Sequence, residues 1–279
     1  MGWAVGPSKP AIVCPAVRLD ASWHALIGRL NRAGPPVQLK AVLTLSRDGY
    51  GWTEYIDHTG CADREAFGRF FQRAGAWLAL FHAFAGSDMH EENMIAAGDQ
   101  PVPIDLEMIL QASAPEYQSD TPETRAVELA AAKVAESVIM TGLLPAYARS
   151  PENKVYEVGG LNNQQRASMV LRWENVNSDA MRPSRTRTAD DKLPNMPRIG
   201  AEYAKLGDHV GDLLAGFETY ATFLLRLKGT VGESGLFDGF AGVPVRKVVK
   251  PPILGLSRAS GGRWAVPGTP TTRAPAPSA

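Results

Sequence analysis

The chain has 279 residues, 44% of them apolar and 21% charged, which suits one or two globular domains and excludes a chain disordered throughout. Lysine plus arginine and aspartate plus glutamate both number 29, so no general field draws in nucleic acid or an anionic membrane, and a charged ligand must be held locally. Two cysteines, Cys14 and Cys61, are too few for a disulfide framework or a four-thiolate zinc site and fit a reducing compartment, with the cytoplasm as the expected location.

The longest strongly apolar run, Ala76 to Ala85, contains His82 and falls short of the roughly 20 residues that span a bilayer. Pro7, Pro10 and Pro15 break any signal-peptide core, and Gly6 stands where myristoylation wants serine or threonine. Residues 1–10 are expected to be a poorly ordered start. Asp20 then suits the cap of a helix whose apolar stripe is Trp23, Leu26, Ile27 and Leu30, ending near Gly34 and Pro35. Gln38–Leu45 and Trp52–Ile56 are β-rich and separated by Ser46, Arg47, Asp48 and Gly49, which predicts a hairpin.

Asp63 is placed to cap a long helix in which Phe67, Phe70, Phe71, Ala74, Trp77, Leu78, Phe81 and Phe84 recur at three- and four-residue steps until Gly86. The breadth of that stripe implies burial on two sides. Met94–Ala97 and Val102–Leu106, joined by a turn at Gly98–Pro101, read as a small second hairpin. Thr121-Pro122 opens a helix reaching about Thr141, and Lys205–Leu227 is another, with Leu213, Phe217, Tyr220 and Leu224 on its apolar face. Ser150–Arg198, polar and holding Pro151, Pro183, Pro194 and Pro197, is expected to be a long irregular loop. Residues 259–279, rich in Ser, Gly, Pro, Thr and Ala, are expected to be a disordered tail.

The informative stretch is Ser87-Asp88-Met89-His90-Glu91-Glu92-Asn93, followed by the second hairpin and Ile104-Asp105-Leu106-Glu107. An aspartate, an asparagine five positions on, then a hairpin leading to a second aspartate is the spacing protein kinases use around Mg-ATP. Asp88 can orient or deprotonate a hydroxyl, Asn93 and Asp105 offer hard oxygens to magnesium, and a hairpin brings its own two ends together. Asp and Asn are also frequent turn formers. The full set, flanked by a helix and a hairpin, favours a nucleotide and metal site. Lys40 on the first hairpin is a possible phosphate-binding cation, though a strand lysine commonly serves to keep an edge soluble. Cys14 and Cys61 read as structural, His24 and His82 as packing residues, and His58 and His209 as solvated or capping.

Together with Tyr50-Gly51-Trp52-Thr53-Glu54 and Phe240-Ala241-Gly242-Val243-Pro244-Val245-Arg246, these segments resemble the dehydratase domain of class II lanthipeptide synthetases over about Cys14 to Leu256. The resemblance implies a kinase-like α+β fold, with a small β-containing upper portion at about Ala11–His58 packed on a mainly helical lower portion from Asp63. It implies phosphorylation of Ser and Thr in a ribosomally made precursor peptide with ATP and Mg2+, then elimination of phosphate. By motif, Asp88 and His90 would serve phosphoryl transfer, Asn93 and Asp105 the nucleotide's metal with Glu107 in the same acidic cluster, and Arg246 elimination.

Cys14 stands where the family has a phosphate-binding lysine, and Lys250-Pro251-Pro252 replaces an Arg-Pro-Thr segment used in elimination. Residues 11–258 are therefore expected to be a partial dehydratase-like domain whose nucleotide lobe is incomplete, with no cyclase following and a separate chain as the supplier of either. Two other functions fit the same residues: a non-catalytic domain that binds the precursor peptide or a partner synthetase, and a kinase-like phosphotransferase acting on a small alcohol. No nucleic-acid partner and no membrane span are expected.

Overall fold

The structure is a computed structural model and describes residues 16–47, 50–111, 121–149, 155–163, 167–176, 178–189 and 193–245. The expectations for residues 1–10 and 259–279, for Cys14, for Arg246 and for Lys250-Pro251-Pro252 lie outside those residues.

Helix α1 spans Ala16–Arg32. Leu19 is buried with Trp23, Leu26, Ile27 and Leu30, so the apolar stripe starts a turn earlier than expected and Asp20 lies inside the helix rather than capping it. Strands β1 (Thr44–Arg47) and β2 (Tyr50–Thr53) pair antiparallel, with Thr44 opposite Thr53 and Arg47 opposite Tyr50. The ladder therefore sits closer to the turn than predicted, and Ser46 and Arg47 are strand residues. The chain before it is held from α1 instead, since Asn31 Nδ2 donates to Leu39 O (2.8 Å) and Leu39 N–H donates to Asn31 Oδ1 (3.1 Å).

Helix α2 spans Glu65–Ala83, and Ala66 N–H donates to Asp63 Oδ1 (2.7 Å), the cap predicted for it. Its end is closed by Gly86 N–H donating to Phe81 O (2.7 Å). Strands β3 (Met94–Ala97) and β4 (Gln100–Pro103) form the second hairpin, with its turn shortened to Gly98 and Asp99. Helix α3 spans Pro122–Ala135. A separate 3-10 turn, Val138–Thr141, follows, opened by Ser137 Oγ accepting from Ile139 N–H (3.3 Å), so the single helix expected to Thr141 is two pieces. Helix α4 runs from Val210 to Phe237, beyond the expected end at Leu227.

The stretch from Ser150 to Arg198 is not one irregular loop. Strand β5 (Ala146–Arg149) pairs with β6 (Val155–Val158), β7 (Ala167–Glu174) pairs with β8 (Arg182–Ala189), and β9 (Arg198–Ile199) pairs with β10 (Glu202–Tyr203). Each is a local hairpin whose backbone groups pair with its chain neighbour, so a segment rich in turn residues still forms strands. Pro183 is tolerated in β8 because a two-stranded ribbon has only edge strands.

One apolar core joins α1, α2 and α4. Trp23 of α1 stacks on Phe81 (ring centroids 5.8 Å apart) and on Trp77 (6.3 Å), both on α2, and meets Phe84 edge-on (5.3 Å). Helices α2 and α4 touch backbone to backbone: a Cβ on Gly75 would collide with Leu213 O, and one on Gly216 with Gln72 O. The two-sided burial predicted for α2 follows from these contacts, because α1 covers one flank and α4 the other. Among the described residues no helix is long and apolar enough to cross a membrane.

Candidate functional site

The loop from α2 to β3 is pinned from both sides. Ser87 N–H donates to Met108 O and Met89 N–H to Thr141 O, both at 2.9 Å, and the Met89 side chain is fully buried. Beneath it lies Gly160, where a Cβ would sit 2.5 Å from Met89 O, so a side chain there would push the loop outward. Asn195, only 1% exposed, fixes that support: its Nδ2 donates to Gly160 O and Asn162 O, both at 3.0 Å. With Met89 anchored, Asp88 is turned to the surface at φ +70°, in the left-handed region where aspartate is among the better-tolerated residues.

The Asp88 carbonyl accepts from His90 N–H and from Asn93 Nδ2, each at 2.9 Å. His90 Nδ1 accepts from Glu92 N–H (3.3 Å) and so caps a 3-10 turn over Glu91–Asn93. Since the amide nitrogen of Asn93 is spent on Asp88, its Oδ1 is the atom left to meet a cation. Met94 pairs with Pro103, and Ile104 N–H donates to Asn93 O (3.0 Å), so the hairpin sets Asn93 and Asp105 on either side of its base. Asp105 is exposed and its Oδ1 accepts from Glu107 N–H (3.4 Å). A depression of about 270 Å³ lies beside this loop, lined by His90, Glu91, Glu92 and Val158.

Helix α1 adds a group that sequence reasoning missed. The Asp20 carboxyl is pushed up to about 7, first by burial and then by the negative charges of Asp105 and Glu107. Among the described residues its Oδ1 is buried without a hydrogen-bond partner. Read as a helix cap, Asp20 gave no hint of this, because its link to Asp105 is made by helix packing and has no spacing in the chain. Thr141, Gly160 and Asn195 escaped for the same reason.

Do these residues suit magnesium? Among the described residues no three His, Cys, Asp or Glu side chains converge on a common ion position, so a cage built from protein carboxylates is not present. Magnesium does not need one, since it is commonly held by one or two carboxylates together with waters and substrate phosphates. Asn93 Oδ1 and Asp105 are oxygen donors of the kind such a site uses, and Asp20 feels the negative charges of Asp105 and Glu107.

The other candidates have structural partners. Lys40 Nζ lies 2.7 Å from Glu54 Oε1. Burial would raise the Glu54 carboxyl, but Lys40 and Leu43 N–H outweigh it and hold it below the usual carboxylate range. Burial and Asp99 push the Cys61 thiol up, which fits the structural role read for it. His24 packs as expected, its Nδ1 accepting from Val42 N–H (3.2 Å), whereas His82 is exposed. His58 and His209 are engaged rather than solvated: His58 Nε2 lies 3.2 Å from Met196 O, and His209 Nδ1 lies 2.9 Å from Asp212 Oδ2 while its ring stacks on Phe71.

The chain is similar to a protein of Lactococcus lactis subsp. lactis described as a lacticin 481/lactococcin biosynthesis protein, LcnDR2, with 31% identity over 104 residues. That match covers 37% of this chain and 11% of the relative, so the chain matches about a tenth of the relative's length. Residues 15–254 match the family described as a domain of unknown function, DUF4135, and the chain belongs to that family.

Proposed function

We propose that this domain acts in lantibiotic biosynthesis, transferring a phosphoryl group from ATP to Ser and Thr of a precursor peptide and then eliminating phosphate. The observation that carries the reading is the pinned loop, in which Asn93 holds the Asp88 carbonyl while its own carbonyl binds the exit strand that leads to Asp105. The kinase-like α+β arrangement, with α1 and the first hairpin above and the remaining helices below, belongs to the same proposal. The similarity to a lacticin 481/lactococcin biosynthesis protein supports the pathway, and the peptide substrate follows from it.

Asn93 and Asp105 would hold magnesium, with Glu107 and Asp20 adding negative charge around it. Magnesium, when bound, neutralises phosphate charge and orients the transferred group. Asp88 orients the substrate hydroxyl and takes its proton as the oxygen attacks the terminal phosphorus and the bond to ADP breaks. His90 spends Nδ1 on the loop, which puts the proton of the neutral ring on Nε2. Elimination removes the proton from Cα, breaks the Cβ–O bond and releases phosphate with the electron pair, leaving a Cα–Cβ double bond. Arg246, which would draw off that phosphate, lies outside the described residues.

Calorimetry with Mg-ATP tests the reading, using Asp105→Ala as the control. Heat from the parent chain that disappears in the variant, together with peptide products lighter by one water per site, is the expected result. No heat from either chain favours the non-catalytic peptide-binding reading. The Lys40–Glu54 ion pair speaks for that second reading, since it engages the lysine that could have replaced the missing phosphate-binding cation.

A further inference from the structure

The outward side of α1, opposite the stripe buried against α2, forms a groove of about 690 Å³ whose lining includes His24, Arg29 and Arg32 of the helix and Gly239, which lies beside the Arg29 guanidinium. Every side chain in that lining that can be charged at neutral pH is cationic. Arg29 and Arg32 are exposed, and among the described residues neither side chain has an ion-pair or hydrogen-bond partner. Arg64 pairs with Glu202, Arg69 with Asp63 and Asp99, Arg73 with Asp99, and Arg182 with Glu174, whereas among the described residues Arg18, Arg47 and Arg125 form no ion pair either; what sets Arg29 and Arg32 apart is that they share one groove. Asp238 adjoins Gly239 without closing an ion pair with Arg29.

His24 adds a donor. It is 8% exposed, and its Nδ1 is committed to accepting from Val42 N–H (3.2 Å). Burial pushes the ring down to about 4, so it is neutral near pH 7 and the ring proton sits on Nε2. The groove is thus lined by a neutral imidazole and two guanidinium groups, and an occupant rich in acceptors suits it.

We propose that this groove binds an acidic stretch of polypeptide in extended form, with its carboxylates on Arg29 and Arg32 and a further oxygen on His24. Carboxylate suits the guanidinium fork, which takes it bidentately. At 1.5 Å per residue His24 and Arg32 are about 12 Å apart along the helix, the reach of roughly four extended residues, so a single small anion would leave most of the groove empty. Nucleic acid is the poorer occupant, because the chain's formal charge is zero and supplies no field beyond the groove. The groove opens one residue past Asp20, so a peptide lying along α1 leaves it beside the acidic cluster of Asp20, Asp105 and Glu107. The proposal does not depend on phosphoryl transfer and stands if no ATP is bound.

The test is fluorescence anisotropy on the full chain with a labelled Gly/Ser peptide carrying two glutamates two residues apart, about 7 Å when extended and on one face of the strand, to match Arg29 and Arg32 one turn apart on α1. Saturable binding is expected, weakened roughly tenfold in the double variant Arg29→Ala/Arg32→Ala and by a similar factor when the glutamates become glutamines. Arg29→Glu/Arg32→Glu should instead prefer the lysine version of the peptide, and melting curves of all variants should match the parent because both arginines are exposed. The proposal is overturned if the glutamine peptide binds as tightly, if the double variant is unchanged, if the parent shows no saturable binding, or if single-stranded DNA binds more tightly through the same arginines.

Discussion

Two hairpins of equal strand length show how differently the same local structure can be used. In β3–β4, Met94, Ala96 and Val102 are buried, Trp77 Nε1 donates to Pro101 O (2.7 Å), and Ala96 N–H donates to Pro194 O (2.6 Å). In β1–β2 the face formed by Leu45 and Trp52 is exposed, Trp52 at 40%; beyond the strand ends the two arms are joined to each other by Glu54 N–H on Leu43 O and by the Lys40–Glu54 pair, and Val42 N–H reaches His24 of α1. A lone two-stranded ribbon is marginal in water, so its rigidity is set by what it packs against. The hairpin packed into the core is the one flanked by Asn93 and Asp105. Helix α1 touches both, through His24 at the entry of the exposed hairpin and Asp20 at the exit of the buried one.

The largest effect should come from breaking the buried hairpin's anchor. Trp77→Ala removes a fully buried ring and the bond to Pro101, and should cost about 3–5 kcal/mol by urea unfolding. A loss below about 1 kcal/mol would mean that β3–β4 is held by something else.

The next effect separates the two α1 contacts by pH. Asp20 is raised from 3.8 to about 7, so across that window the folded chain holds a proton that the unfolded chain has released, and stability falls as pH rises. His24 is lowered from 6.5 to about 4, so below pH 6.5 the unfolded chain binds a proton that the folded chain refuses, and its contribution is lost as pH falls. Asp20→Asn should therefore add up to roughly 2 kcal/mol above pH 7 and nothing near pH 4. His24→Gln should flatten the decline below pH 6.5. Thermal melts of both variants between pH 4 and 8 check the signs, and parallel profiles would contradict them. The smallest effect is expected at the exposed face, where Trp52→Ser should stay within about 0.5 kcal/mol. A cost above 1 kcal/mol would show that the face is covered.

Much of the candidate site's local geometry is readable from the sequence. The run from Asp88 to Glu107 has its order dictated by chain neighbours, and a hairpin returns its two ends to one place whatever else the molecule does. Asp63 as a cap and the Trp77 stripe were equally local. The hairpins between Ser150 and Arg198 were missed because Pro151, Pro183, Pro194 and Pro197 and the many turn-forming residues among them outweighed short strand-like runs such as Val155–Val158. The offset in β1–β2 was missed because the ladder depends on where Asn31 holds Leu39, a contact made by α1.

By itself the sequence determined the helices with a broad apolar stripe, the hairpin between Asn93 and Asp105, and the family-like spacing of oxygen donors, since each depends on residues within a few turns of one another. Only the tertiary structure decided that Asp20 faces Asp105 and Glu107, that Gly160 and Asn195 support Met89, and that Arg29 and Arg32 are left facing a groove. Those relations join segments far apart in the chain, and burial, backbone approach and the sum of nearby charges exist only once the segments have packed.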